Sequence, residues 1–251
     1  MRRTLVLILV VCVAAAFGVG YLAKDAPTAQ PASIVPSPSA QAPAFYSVHV
    51  MLPAVDNNGQ GALAELAVEV SNGTGQLYIS FADSPMINED TQSSLRIALA
   101  VAERESGVSS KKVNVYYTIM TSSDTVGGKS AGAAATIATI LALKGEQLKP
   151  GSLITGTIEP DGKIGQVGKV LEKAKAAAAA GYTLFVVPKG EATQKVAVTE
   201  CSEKKTETPS GWQVSKSCVQ TIRAADVAKE SGIQIVEADN VTQAYQLLRA
   251  S

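Results

Sequence analysis

The chain has 251 residues, 46% of them hydrophobic, and its 22 lysine and arginine residues balance 22 aspartate and glutamate residues. Because the net charge is zero, no overall field favours nucleic acid, and a 5% aromatic content disfavours the stacking platforms of single-strand binders. We therefore expect no nucleic-acid partner. The residues that follow a non-globular N-terminal segment suffice for one domain with a buried core.

The N-terminal segment predicts attachment to a membrane. Arg2 and Arg3 precede an uncharged run from Leu5 to Ala23, which is close to the roughly 20 residues of a spanning helix. We predict a signal anchor or transmembrane helix at 1–24, with a cleaved signal as the alternative. The positive-inside rule then makes the chain a single-pass protein of the cell membrane whose remaining residues face the extracytoplasmic side.

The segment 25–45 is rich in Pro, Ala, Ser and Gln. Such a composition cannot bury enough apolar surface to fold, so it predicts an extended tether. The folded domain is then expected at 46–251.

The first half of this domain is predicted to be rich in strands. Alternating apolar residues and turn signals favour a meander of antiparallel strands, then a helix, a strand and an apolar helix. The strands are predicted at 46–52, 63–70, 75–81 and 113–120, and the helices at 90–106 and 130–143.

In the second half, predicted strands alternate with predicted helices. The strands are expected at 152–158, 182–187 and 233–237, and the helices at 167–180 and 241–249. Together the two halves predict a mixed α/β (α+β) domain. A polar insertion at about 189–220 contains Cys201 and Cys218, which form a possible disulfide in an oxidising compartment; two unpaired thiols are the alternative.

A glycine-rich turn offers a candidate nucleophile. Gly128, Lys129 and Ser130 lead into the apolar helix, where a glycine lets the backbone approach a substrate and free amides can stabilise an oxyanion. Ser130 is therefore a candidate for acyl transfer, although the turn alone favours an ordinary N-cap. The turn also imitates the end of a phosphate-binding loop, whose first glycine is replaced here by Ser123. No cofactor, nucleotide or metal is expected.

A serine needs a base, and a lysine can serve where burial lowers its pKa. Lys169, Lys173 and Lys175 lie on the next predicted helix. A solvated position is the better interpretation of Lys175, whereas helical geometry alone does not choose between Lys169 and Lys173. Thr155 is a plausible hydroxyl to orient the amine. His49, the one histidine, is a weaker candidate for the base.

The region resembles the proteolytic domain of the Lon family of serine-lysine peptidases. In that family the nucleophile lies in a Gly-Pro-Ser-Ala-Gly turn and the lysine follows a Gly-Gly-x-x-x-Lys helix start. The matching segments here are 128–132 and 165–173, and they align with the family without an insertion or deletion between them. The Thr-Gly pair at 155–156 also falls where Lon-type domains have Thr-Gly. The resemblance covers 46–249 apart from the polar insertion. It implies the Lon-type fold and selects Ser130 as the nucleophile and Lys173 as the base.

Two departures from the family pattern lie beside the nucleophile: Lys129 replaces a proline, and Gly127 stands where many bacterial members have an aspartate. The Lys129 cation could help lower the pKa of Lys173 if the two approach each other.

The resemblance implies a serine endopeptidase, and together with the predicted N-terminal anchor it leads us to expect a membrane-anchored enzyme that cleaves unfolded or flexible polypeptides. We expect it to work without ATP, because the domain is expected outside the cytoplasm. A homo-oligomer is also possible. The competing expectations are a non-catalytic binding or scaffold module on the same fold, and a protease that processes only itself or one partner.

Overall fold

The computed structural model describes residues 44–81, 86–121, 125–126, 128–209 and 211–250. All of them belong to one compact unit, Ser39–Ser251. The predicted anchor at 1–24 and nearly all of the predicted tether at 25–45 lie outside the described residues. Within the described ranges, no helix combines the length and apolar character needed to cross a bilayer.

The described residues form a mixed α/β structure, 30% helical and 46% strand, which confirms the predicted fold class. The four-stranded sheet of the first half contains β1 (Phe45–Val55), β2 (Gly61–Asn72), β3 (Leu77–Phe81) and β5 (Val113–Met120). These strands lie side by side in the order β1-β2-β5-β3. The first of them begins at Phe45, the last residue of the predicted tether.

The predicted antiparallel meander is wrong at its third strand. β1, β2 and β5 pair antiparallel, but β3 pairs parallel with β5 and has no contact in the sheet with β2. Parallel neighbours need a crossover connection, and the helix α1 (Glu89–Ser106) lies between them in the chain. α1 ends at Gly107, whose positive φ of 71° gives the left-handed C-cap expected from the sequence. Two short strands, β4 (Met86–Ile87) and β6 (Thr125–Val126), pair parallel.

The apolar helix α2 (Gly132–Lys144) forms the centre of the core. Every residue from Gly132 to Leu143 is buried, as expected for a helix that is apolar all round. The sheet residues Leu66, Val68 and Tyr117 belong to the same cluster. Gly145 ends α2 with a φ of 68°. This central position fixes the residues that immediately precede α2.

The second half holds a three-stranded parallel sheet with the order β13-β10-β7. The predicted strand at 152–158 is interrupted at Thr155 and Gly156, and its two parts join different sheets. The elements are β7 (Ser152–Ile154), β8 (Thr157–Ile158), β9 (Ile164–Gly165), α3 (Val170–Ala179), β10 (Leu184–Pro188), β13 (Gln234–Ala238) and α5 (Val241–Leu248).

The polar insertion is a long hairpin and extends past its predicted end at 220. β11 (Thr193–Thr208) and β12 (Gly211–Asp226) pair antiparallel, and the short helix α4 (Val227–Ser231) follows. We call β11 and β12 the hairpin arm. Cys201 lies opposite Cys218, and a disulfide joins them. Most of the arm is exposed on both faces, so its sequence lacks the apolar alternation that marks a half-buried strand.

Candidate functional site

Ser130 lies in a tight turn just before α2. Gly128 has a φ of 93°, in the left-handed region that favours glycine. The N-cap of α2 is Ala131, which makes no side-chain cap, so Ser130 does not have the capping role that the sequence left open. Gly127, which precedes the turn, lies outside the described residues. The Ser130 side chain is therefore not used to begin the helix.

The turn carries free hydrogen-bond donors. In the part of the chain that the structure describes, the backbone amides of 129–131 donate no hydrogen bond, whereas the Gly132 amide donates to the Lys129 carbonyl at 3.1 Å. Free amides at the start of a helix attract negative charge. They could hold an oxyanion that forms next to Ser130.

Side chains from the first turns of α1 hold the turn in place. The Ser94 hydroxyl donates to the Lys129 carbonyl at 3.3 Å. The single proton of the Thr91 hydroxyl is shared between the Gly128 carbonyl at 3.3 Å and Asn88 Oδ1 at 3.0 Å. Lys129 Nζ lies 3.5 Å from Asp90. These three residues of α1 were not predicted from the sequence. Thr91 and Ser94 are polar residues on the apolar, buried side of α1, and a polar residue in that position is a usable signal.

The structure distinguishes the three candidate lysines. Lys173 is only 4% exposed on the buried side of α3, whereas Lys175 is exposed and the Lys169 side chain is 56% exposed. Burial lowers the pKa of Lys173 from 10.5 to about 8, while Glu191 acts in the opposite direction. Lys129 makes its ion pair with Asp90, and it is not a cause of this shift. The side chain best suited to be a base near neutral pH is Lys173.

Lys169 has an unusual backbone. It is the N-cap of α3 and has a φ of 61°, the only positive φ among the described residues that are not glycine. Its side chain lies 3.9 Å from Glu172. Backbone strain of this kind is often found at functional sites.

Thr155 and Gly156 connect the two halves of the site. The Lys173 ammonium donates to Thr155 Oγ1 at 3.4 Å. The Gly156 amide donates to the Ser130 carbonyl at 3.1 Å, and the Gly156 carbonyl accepts from the Ala133 amide at 3.0 Å. The interruption of the predicted strand thus fixes the lysine relative to the serine turn.

Ser130 and Lys173 line one cavity of about 360 Å³. Ala54 and Val55 from β1 line it as well, together with Gly128, Lys129 and the segment 166–169. The structure shows no direct hydrogen bond between the Ser130 hydroxyl and the Lys173 amine; the amine donates to Thr155. Catalytic hydrogen bonds are often long before substrate binds.

His49 lies elsewhere. Its Nδ1 is 2.6 Å from Glu65 Oε1 on the exposed face of β1 and β2, and it lines a separate cavity with residues of β1 and the segment 147–148. The structure does not bring His49 to the cavity of Ser130.

Replacing Gly156 with alanine should lower the stability of the protein. An added Cβ would lie 2.4 Å from Ile164 Cγ2 and 3.3 Å from Ala133 Cβ, so the junction between the serine turn and Thr155 would have to move. We expect a loss of about 1–3 kcal/mol in the free energy of unfolding. Denaturant unfolding measures it, with Gly168→Ala as the control because a Cβ at Gly168 meets no atom within 4 Å. Equal losses in both variants would contradict the packing argument.

Comparison of the chain with protein-family models finds no match, and comparison with curated proteins finds none either.

Proposed function

We propose that the protein is a serine endopeptidase that cleaves unfolded or flexible polypeptides with Ser130 and Lys173 as a dyad. The observation that carries the proposal is that a serine in a glycine turn and a buried lysine with a lowered pKa line the same cavity. A lysine with a pKa of about 8 is neutral in roughly a tenth of molecules at pH 7, about 300-fold more than at its ordinary pKa of 10.5.

The proposed reaction has two halves. The neutral Lys173 amine removes the Ser130 proton while Oγ bonds to the peptide carbonyl carbon, and the turn amides at 129–131 stabilise the oxyanion. The Lys173 ammonium then gives its proton to the leaving nitrogen as the C–N bond breaks. Water attacks the resulting ester, Lys173 takes the water proton, and the proton returns to Ser130 Oγ as the ester bond breaks. Thr155 orients Lys173 throughout.

We further propose that the enzyme is of the Lon type, needs no ATP, and works outside the cytoplasm, attached by its N-terminal segment. The motifs at 128–132 and 165–173 support the family assignment. The disulfide between Cys201 and Cys218 supports the location, because such bonds persist in oxidising compartments.

The test is hydrolysis of an unfolded protein and of a fluorogenic peptide library by the full chain without nucleotide. We expect multiple cleavages, and unchanged rates when ATP is added. A well-folded chain that cleaves neither substrate, with or without ATP, would contradict the proposal and favour a binding module. A single cut in its own chain, with no cleavage of added substrates, would favour self-processing.

A further inference from the structure

Side chains that follow β10 in the chain hydrogen-bond to the backbone around the start of α3, the helix that carries Lys173. Glu191 Oε1 accepts a hydrogen bond from the Val167 amide at 2.9 Å, and Gln194 Oε1 accepts one from the Leu171 amide at 2.8 Å. Two side chains at the base of the hairpin arm thus bind the backbone on either side of Lys169, whose φ of 61° is unusual for a residue other than glycine. The position of α3 therefore depends on Glu191 and Gln194.

Among the residues that the structure describes, the second carboxylate oxygen of Glu191 has no hydrogen-bond partner. Glu191 Oε2 is buried and makes no hydrogen bond among the described residues. A buried carboxylate oxygen without a hydrogen bond is energetically unfavourable, so its retention needs an explanation. The hydrogen bond from the Val167 amide does not explain this oxygen, because Oε1 accepts that bond.

Charged groups on two elements act on Glu191. Burial, the largest cause, raises the pKa of Glu191 above its ordinary value; the hydrogen bond from Val167 and the charge of Lys173 on α3 act to lower it, and Glu237 on β13 acts to raise it. The Ala192 amide donates to Glu237 at 2.9 Å, which fixes the second carboxylate nearby. Lys169 and Lys195 line the same hollow of about 600 Å³ as Glu191. Residues 166–169 line both this hollow and the cavity of Ser130.

We propose that Glu191 is a positioning residue for the base: its carboxylate holds the segment before α3 through the Val167 amide and brings a negative charge to the start of the helix that carries Lys173. This inference rests on the proposed dyad. The lysine must accept the serine proton and keep it until the leaving nitrogen takes it, and a nearby anion stabilises that protonated state. Glu191 thereby limits how far burial can weaken the amine as a base.

The test compares Glu191→Gln with Glu203→Gln in the full chain. Glutamine keeps an acceptor for the Val167 amide but removes the charge, and Glu203 is an exposed carboxylate on the hairpin arm that gives the same change in net charge. The protonation of Lys173 is followed by NMR of its side-chain ¹³Cε and ¹⁵Nζ, assigned from the signal that is lost in Lys173→Met. The pH dependence of peptide hydrolysis is measured on the same samples.

We expect Glu191→Gln to move the Lys173 titration to lower pH, raising its neutral fraction at pH 7 by about threefold or more. The pH at which peptide hydrolysis reaches half its maximum should move by the same amount. Glu203→Gln should change neither this pH nor the Lys173 titration. An unmoved Lys173 titration, or one moved equally by Glu203→Gln, would overturn the inference. Because the NMR titration needs no turnover, it decides the role of Glu191 even if wild-type protein cleaves nothing, an outcome that would instead defeat the proposed function.

Discussion

Ser130→Ala should abolish peptide hydrolysis while leaving the protein folded. The hydroxyl is the only part of the side chain that the mechanism uses, and Ser130 is not the N-cap of α2. Loss of the nucleophile in comparable dyads and triads reduces turnover by several orders of magnitude, so we expect a fall of at least about 10³-fold. Steady-state hydrolysis of a fluorogenic peptide at pH 8 measures the fall.

The matched control is Ser202→Ala, which removes an exposed hydroxyl from the hairpin arm. It should leave both turnover and denaturant unfolding unchanged. If Ser130→Ala retained wild-type turnover, another nucleophile would have to perform the reaction. If Ser130→Ala unfolded the chain, the view that this side chain has no structural role would be wrong.

Lys173→Met should remove activity and raise stability in the same variant. Methionine fills much of the volume of the lysine stem but cannot accept the serine proton, so we expect turnover to fall by at least about 10³-fold. The folded protein at pH 7 holds a mostly charged amine at a site that is 4% exposed. Replacing that amine should raise the free energy of unfolding by about 1–3 kcal/mol. Turnover and denaturant unfolding measure the two effects.

The pH dependence follows from the same pKa. The neutral amine is the active form, so wild-type turnover should rise with pH, reach half its maximum near pH 8 and level off above it.

The unfolded chain binds the Lys173 proton more tightly than the folded chain. Stability contributed by this group should therefore rise between about pH 8 and pH 10.5, and this rise should be absent in Lys173→Met.

Lys175→Met is the control for the loss of one lysine from the same helix. Lys175 is exposed, so its replacement should change neither turnover nor the pH dependence of turnover.

Lys169→Met separates the two candidate bases that helical geometry could not distinguish, and this variant should retain the rise in turnover near pH 8. Loss of that rise in Lys169→Met, with its retention in Lys173→Met, would transfer the role of base to Lys169.

Local patterns predicted most of the secondary structure because the decisive signals are local. The alternation at 113–120 and the glycine after Ser106 gave a strand and a helix end where the structure has them. The parallel pairing of β3 with β5 was not predicted, because both antiparallel and parallel neighbours show the same alternation along one strand. Partner choice depends on α1 crossing between them.

The interruption at Thr155 and Gly156 was missed for a related reason. A continuous run of apolar and β-branched residues at 152–158 favours one strand, whereas the structure uses the Gly156 backbone to bind the turn of Ser130. That contact joins residues far apart in the chain. The hairpin arm was missed because its two strands are exposed on both faces and show no apolar periodicity.

The residues of the candidate site that lie in short sequence motifs could be predicted. Those that belong to the site only through tertiary contacts could not. Ser130 and Lys173 were selected by the resemblance of two short motifs to those of Lon-family peptidases, and the structure brings both residues to one cavity. The burial that separates Lys173 from Lys169 could not be computed from helical geometry alone. Glu191 lies beyond a strand in an insertion that looked merely polar, so nothing local indicated its contact with the segment before α3.

The most direct test of the dyad is to trap the acyl-enzyme formed from an activated peptide ester and to locate it by mass spectrometry, without nucleotide, in wild-type and Lys173→Met protein. We predict one acyl group on Ser130, formed faster as the pH rises through about 8 in the wild type and at least about 10³-fold more slowly in Lys173→Met. An acyl group on another residue, or equal rates of acylation of Ser130 in the two proteins, would contradict it.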